Sequence, residues 1–153
     1  MKTTCGDYSA VYGWDLVQTG KKPEVFARLI AEAFARGGVQ TFSWHLWNPV
    51  TGKNFYDCTP AVAAILPGGT KHDAYRAQLK TVADFFTSLK AKDGRPIPII
   101  FRPFHVHTGS WFWWGQKHCS KDEYIALWRF TVKHLRDELG LHQALGPTPW
   151  RIA

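Results

Sequence analysis

The densest run of chemistry-bearing side chains lies between Arg102 and Trp114. Here Arg102, His105, His107, Thr108 and Ser110 are set against four consecutive aromatics, Trp111, Phe112, Trp113 and Trp114. Imidazoles can hydrogen-bond, exchange protons or ligate metals, and indoles offer flat apolar faces. Two chemistries follow from these types. The first is a binding cleft, with imidazoles and flat aromatic groups as its floor and wall. The second is a metal pair. Residues two apart on a strand point the same way, so His105 and His107 could ligate together, with His45 and Asp15 completing a mixed nitrogen and oxygen site. Against both stands a plainer use, since a histidine at a strand end often only satisfies backbone groups, and at least two of the four aromatics must be core.

These groups need elements to position them. Ile97 to Phe104 is an apolar, β-branched run, read as a short parallel strand buried on both faces that delivers the polar segment to its carboxyl end. Ala10 to Leu16 reads as a strand ending at Asp15. Val39 to Leu46 alternates Phe42, Trp44 and Leu46 with Thr41, Ser43 and His45, the period of a strand, and brings His45 to the same end. Helical spacing runs through Glu24 to Arg36, ended by Gly37-Gly38, and through Lys71 to Lys92. Pro60 to Leu66 suits a helical turn. Ser120 and Glu123 form a capping box for a helix carrying Tyr124, Trp128, Thr131, Leu135 and Leu139 up to Gly140. Leu141 to Ala153 is at most a weak strand. Strand and helix alternate, so the expected class is α/β around a parallel sheet.

Length and composition narrow the field. The 153 residues make a single domain but fall short of a whole (β/α)8 barrel, which needs about 250. The net charge of +7 is scattered over the predicted helices, which argues against nucleic acid as a partner. Cys5, Cys58 and Cys119 are widely spaced with no C-x-x-C, so a zinc cluster is not expected and no disulfide pairing can be assigned. No run approaches the roughly 20 apolar residues of a membrane span, and the first residues lack the apolar core of a signal peptide.

The segment F-R-P-F-H-V-H-T-G-S-W-F-W-W-G resembles the acid/base segment of glycoside hydrolase family 26, whose best-known members are endo-β-1,4-mannanases. C-G-D-Y-S-A-V-Y-G-W-D-L resembles the family's second-strand region, and Y-I-A-L-W-R-F-T-V-K-H-L-R-D the helix after its acid/base strand. The likeness thus extends over nearly the whole chain. It implies a partial (β/α)8 TIM barrel, 1–153 carrying approximately strands 2 to 4 and the start of strand 5 with their helices. It also implies β-mannan or manno-oligosaccharide as partner, no cofactor, no metal, and secreted, cell-surface or periplasmic relatives. His45 and His105 match histidines that contact the sugar, and Trp111 matches an aromatic that stacks on it. Arg102 and Trp114 are further candidates for the same wall.

One position departs from the pattern. Where the family carries its acid/base glutamate, between the two histidines, this chain has Val106. The resemblance places the nucleophile on a seventh strand, beyond the stretch present here. Retaining hydrolysis needs two carboxyl groups about 5 to 5.5 Å apart, so the expectation is an inactive or severely impaired chain. Asp15 is a weak substitute acid, expected instead to cap a loop or pair with Arg102. Two alternatives remain: a non-catalytic manno-oligosaccharide-binding protein, and a metal-dependent hydrolase using His105 and His107. Half a barrel would leave sheet edges open and favour self-association.

Overall fold

Alternating large apolar and small polar residues make a strand with one oily face, and that pattern sets the centre of the fold. The computed structural model describes residues 2–145. Its strands are β1 (Val11–Asp15), β2 (Val39–Trp44), β3 (Ile99–Pro103) and β4 (Ala144–Leu145), all parallel and paired in that order. The helices are α1 (Lys2–Cys5), α2 (Leu16–Thr19), α3 (Pro23–Ala35), α4 (Val62–Ile65), α5 (His72–Ser88) and α6 (Lys121–Lys133). The α/β class and the parallel sheet agree with the sequence pattern. Register sets Asp15 opposite Ser43 and Ser43 opposite Arg102, which aligns the three carboxyl ends.

On one face of the sheet, Phe42, Trp44, Ile99 and Phe101 are buried against Ile30 of α3 and Tyr75, Leu79 and Phe86 of α5. Phe86 wedges edge-on between Phe42, at 4.9 Å, and Phe101, at 5.3 Å between ring centroids. The opposite face carries Val11, Val39, Ile100 and Arg102, all exposed. β3 therefore alternates buried and exposed rather than being buried on both sides. Among the described residues the long helices cover only one face, so the apolar run of β3 shows its second side.

Two helix ends also differ from the periodic pattern. α5 stops at Ser88 instead of Lys92, because Leu89 is extended and turns its side chain into the core. The capping box forms as expected: Ser120 Oγ accepts from the Glu123 amide at 3.2 Å, and Glu123 Oε2 accepts from the Ser120 amide at 2.7 Å. α6 gives way after Lys133 to a wider π turn over His134–Glu138, and Gly140, at φ 65°, ends it. The expected weak strand in the tail is β4; residues 146–153 lie outside those described. Cys58 and Cys119 are free thiols, and burial pushes the Cys119 thiol up to about 11. No helix is long and apolar enough to cross a membrane among the described residues.

α5 and α6 are joined by one buried polar contact. The Tyr75 hydroxyl and Thr131 Oγ1 lie 2.7 Å apart, and Thr131 donates in turn to the Leu127 carbonyl. Tyr75→Phe removes a donor and leaves Thr131 satisfied, so it should cost about 1 kcal/mol in urea unfolding. Thr131→Val strands a buried phenol and should cost more, about 1–3 kcal/mol. Equal costs would contradict this arrangement.

Candidate functional site

The shared carboxyl ends of β1, β2 and β3 present Asp15, His45 and His105 on one side of the molecule. Asp15 works as a fixed acceptor. Its Oδ1 accepts from the Val17 amide at 2.9 Å, capping α2, while Oδ2 receives Ser43 Oγ at 3.0 Å and faces His45 Nδ1 at 2.5 Å. An ionised carboxylate only accepts, so the proton between them belongs to His45 Nδ1. That fixes the tautomer and leaves Nε2 as the accepting nitrogen of a part-exposed ring. The expected pairing of Asp15 with Arg102 is not made: His45 and Ser43 occupy the carboxylate, and the exposed Arg102 lies on the bare sheet face.

His105 meets His45 edge to face at 4.7 Å. Phe112 lies beneath both, 5.5 Å from His45 and 5.6 Å from His105. Burial first, then the neighbouring His45 and Arg102 charges, pull the His105 pKa below its ordinary value of 6.5, with Asp15 opposing. One neutral imidazole and one carboxylate-bound imidazole thus stand at right angles above a phenyl ring.

β3 ends at Pro103, and the chain then turns sharply. Phe104, Val106 and Ser110 all take positive φ, at 53°, 57° and 60°. A β-branched residue such as Val106 is a marked outlier there. The surroundings hold the turn by its carbonyls. Tyr124 Oη donates to Phe104, Trp114 Nε1 to His105, the Gly109 amide to Val106 and the Gln116 amide to His107, each between 2.9 and 3.1 Å. Strained backbone persists where neighbours over-determine it, and such places concentrate at functional sites. Val106 itself is 47% exposed.

The same turn separates His105 from His107. The two residues no longer share a strand, so the alternation that would have pointed both rings one way is lost. His107 belongs to a 3-10 turn (His107–Gly109), its ring stacks on Tyr124 at 3.8 Å, and its Nδ1 lies 2.8 Å from the Trp114 carbonyl. The metal pair read from H-x-H is therefore not assembled. Among the described residues no three His, Cys, Asp or Glu side chains gather to hold an ion.

The aromatic run divides by role. Phe112, Trp113 and Trp114 are buried, and Trp113 Nε1 donates to the Leu46 carbonyl at 2.9 Å. Trp114 thus stands behind the wall instead of on it, holding His105 by its backbone. Trp111 is half exposed, and its ring lies across Gly109, where an added Cβ would sit 2.3 Å from the indole. Phe55 and Tyr56 complete the rim: Phe55 is 4.6 Å from His45, and Tyr56 is 5.6 Å from Phe112. The sequence pattern marks Ser43 and Tyr124 only as members of a strand and a helix and Phe112 only as one of the aromatic run, and it does not single out Phe55 or Tyr56. Of these, Ser43 was within reach, being two residues before His45 on the same face of β2.

The model of Glycosyl hydrolase family 26 matches residues 1–145. A mannan endo-1,4-beta-mannosidase of Bifidobacterium adolescentis is 39% identical over 155 residues, which cover 93% of this chain and 16% of that protein. An endo-beta-1,4-mannanase from Cellulomonas fimi superposes with a TM-score of 0.88 at 42% identity, over 95% of this chain and 35% of the other. A beta-mannanase from Bacteroides ovatus gives 0.88 at 41% identity, over 94% and 45%. The chain spans less than half the length of each of these relatives.

Two measurements check the geometry. In a proton NMR titration His105 should show a midpoint below 6.5; a midpoint at or above that value would contradict its setting. The sign follows: the unfolded chain takes this proton more readily, so His105 lowers stability as pH falls through about 6.5 toward its folded value. Val106→Gly should raise stability by about 0.5–1 kcal/mol, because relieving a left-handed β-branched residue (~1–2 kcal/mol) outweighs the entropy of glycine. A loss on that substitution would mean the turn is not strained.

Proposed function

The chain belongs to glycosyl hydrolase family 26, and on that premise we propose that it forms the sugar-facing wall and the acid/base corner of a β-1,4-mannan hydrolase, with Val106 in the acid/base position. On this reading the parallel sheet is part of a (β/α)8 barrel, spanning strands 2 to 4 and the start of strand 5, and its bare face is the barrel's inner side. The complete domain would be retaining and exported. An isolated stretch with that face open would tend to self-associate.

The observation that carries the proposal is the setting of Val106. A branched apolar side chain is held exposed in a left-handed turn, directly after His105, by carbonyl contacts from neighbouring elements. Packing gives no reason for that arrangement, since an exposed valine contributes little burial. A side chain that had to reach a glycosidic oxygen would justify it. Family resemblance then assigns His45 and His105 to the hydroxyls of the sugar at the cleavage point and Trp111 to its C–H face, with Arg102 a further candidate and Trp114 acting only from behind, through the His105 carbonyl.

Val106 has no proton to give. Asp15 does not take its place, since Oδ1 caps α2 and Oδ2 is held by His45 and Ser43. Retaining hydrolysis uses two carboxyl groups across the bond, and the described residues do not assemble such a pair. This stretch is accordingly inactive or severely impaired by itself. A second reading, a manno-oligosaccharide-binding protein without hydrolysis, draws on the same facts: the aromatic wall is intact while the proton donor is missing. Binding without release of reducing sugar distinguishes it.

The decisive substitution is Val106→Glu in a chain extended to a complete family 26 domain. Loss of a general acid costs on the order of 10²- to 10⁴-fold, so mannan hydrolysis should rise by that factor, measured as reducing sugar released. An unchanged rate would show that the acid/base group has been assigned to the wrong residue.

A further inference from the structure

We infer that Tyr56 is a second sugar-stacking platform, held over the cleft by a loop built for that purpose, so that the wall extends beyond Trp111 to a further pyranose of the same chain. The inference rests on the mannan reading and adds to it a residue that lengthens the binding track.

Tyr56 is the most exposed of the large hydrophobic side chains among the described residues, at 61%. It does not lie loose on the surface. Its ring rests on Phe55 at 4.6 Å and on Phe112 at 5.6 Å, the same Phe112 that contacts His45, His105 and, at 6.1 Å, Trp111. Tyr56 and Trp111 are therefore the two exposed rings bordering one buried hub, and both imidazoles border it too. One oligosaccharide of a few pyranoses lying over this hub can meet both rings and both imidazoles. Trp47 is nearly as exposed but enters none of the described ring contacts, so exposure alone does not select Tyr56.

The loop that carries Tyr56 is rigid for a reason visible in its bonding. Asn48 is 1% exposed and serves as its centre: Nδ2 donates to the carbonyls of Asp57 at 2.9 Å and Thr59 at 2.8 Å, and Oδ1 accepts from the Val50 amide at 2.9 Å. Asp57 fastens the outer side, accepting from Thr51 Oγ1 and Thr59 Oγ1, each at 2.7 Å, and these bonds lower its pKa to about 2. Asn54 Oδ1 accepts from the Tyr56 amide itself at 2.9 Å. A ring fixed before the ligand arrives loses little freedom on binding, and a largely exposed tyrosine leaning on two other rings suits the C–H side of a sugar.

The test is calorimetric titration of this chain with β-1,4-linked manno-oligosaccharides of increasing length, alongside Tyr56→Ala, Tyr56→Phe and Trp111→Ala. Tyr56→Ala should weaken the longer oligosaccharides by about tenfold and the disaccharide less, while Tyr56→Phe stays within about twofold of the parent. Tyr56→Leu fills similar space without a flat face and should behave as the alanine variant does, which covers a failure of that variant to fold. If Trp111→Ala weakens binding and Tyr56→Ala does not, this inference is overturned and the mannan reading stands. If Tyr56→Phe weakens binding as much as Tyr56→Ala, the hydroxyl and not the ring makes the contact, and stacking is wrong. Should the parent chain bind no oligosaccharide of the series, the substrate reading falls and takes Tyr56 with it.

Discussion

The site depends on a row of four backbone carbonyls, three of them gripped from outside the turn that bears them. Between Phe104 and Ser110 the chain enters the left-handed region at three residues that have side chains, a conformation with an intrinsic cost. Tyr124 from α6, Trp114 from the aromatic run and the Gln116 amide just after it hold three of those carbonyls, and the Gly109 amide within the turn holds the fourth. Because the helix after the turn grips the turn itself, the capping box that starts α6 at Ser120 also helps place His105 and Val106. Helix, aromatic core and cleft are thus mechanically one piece.

A second constraint joins the first at β2. Asp15 sits thirty residues before His45, yet parallel register brings them together and leaves the carboxylate no freedom: each oxygen is already bound. The result is a carboxylate that orients an imidazole and does not act alone. The neighbouring His105 is pulled toward neutrality largely by being buried. Two histidines of the same chemistry are therefore held differently, one fastened to a carboxylate through Nδ1 and the other set into the aromatic core, a distinction useful wherever one hydroxyl must be held and another approached.

Much of the frame is legible in residue order. The alternation of Phe42 and Trp44 with Thr41 and Ser43 announces β2, the spacing of Tyr75, Leu79, Val82 and Phe86 announces α5, and Ser120 with Glu123 announces α6. The turn after β3 is not legible, because nothing in the types Phe104, Val106 and Ser110 favours positive φ; glycine or asparagine would have signalled it. That is why H-x-H reads as two residues on one strand and turns out to be two residues on opposite sides of a bend. Exposure of Ile100 and Arg102 was equally hidden, since a run of apolar residues cannot say which faces will find a helix to cover them. Asn48 escaped for another reason: its Oδ1 makes only a local turn with Val50, while the carbonyls its Nδ2 ties together lie nine and eleven residues away, beyond any local pattern.

Gly109 carries an implication for ancestry. The indole of Trp111 passes so close to its backbone that not even a methyl group fits between them. The dependence runs one way: the indole can be lost while the glycine stays, whereas any side chain gained at 109 must push the outer edge of the ring aside in the same step. A tryptophan seated as it is here should therefore be inherited only alongside the small residue.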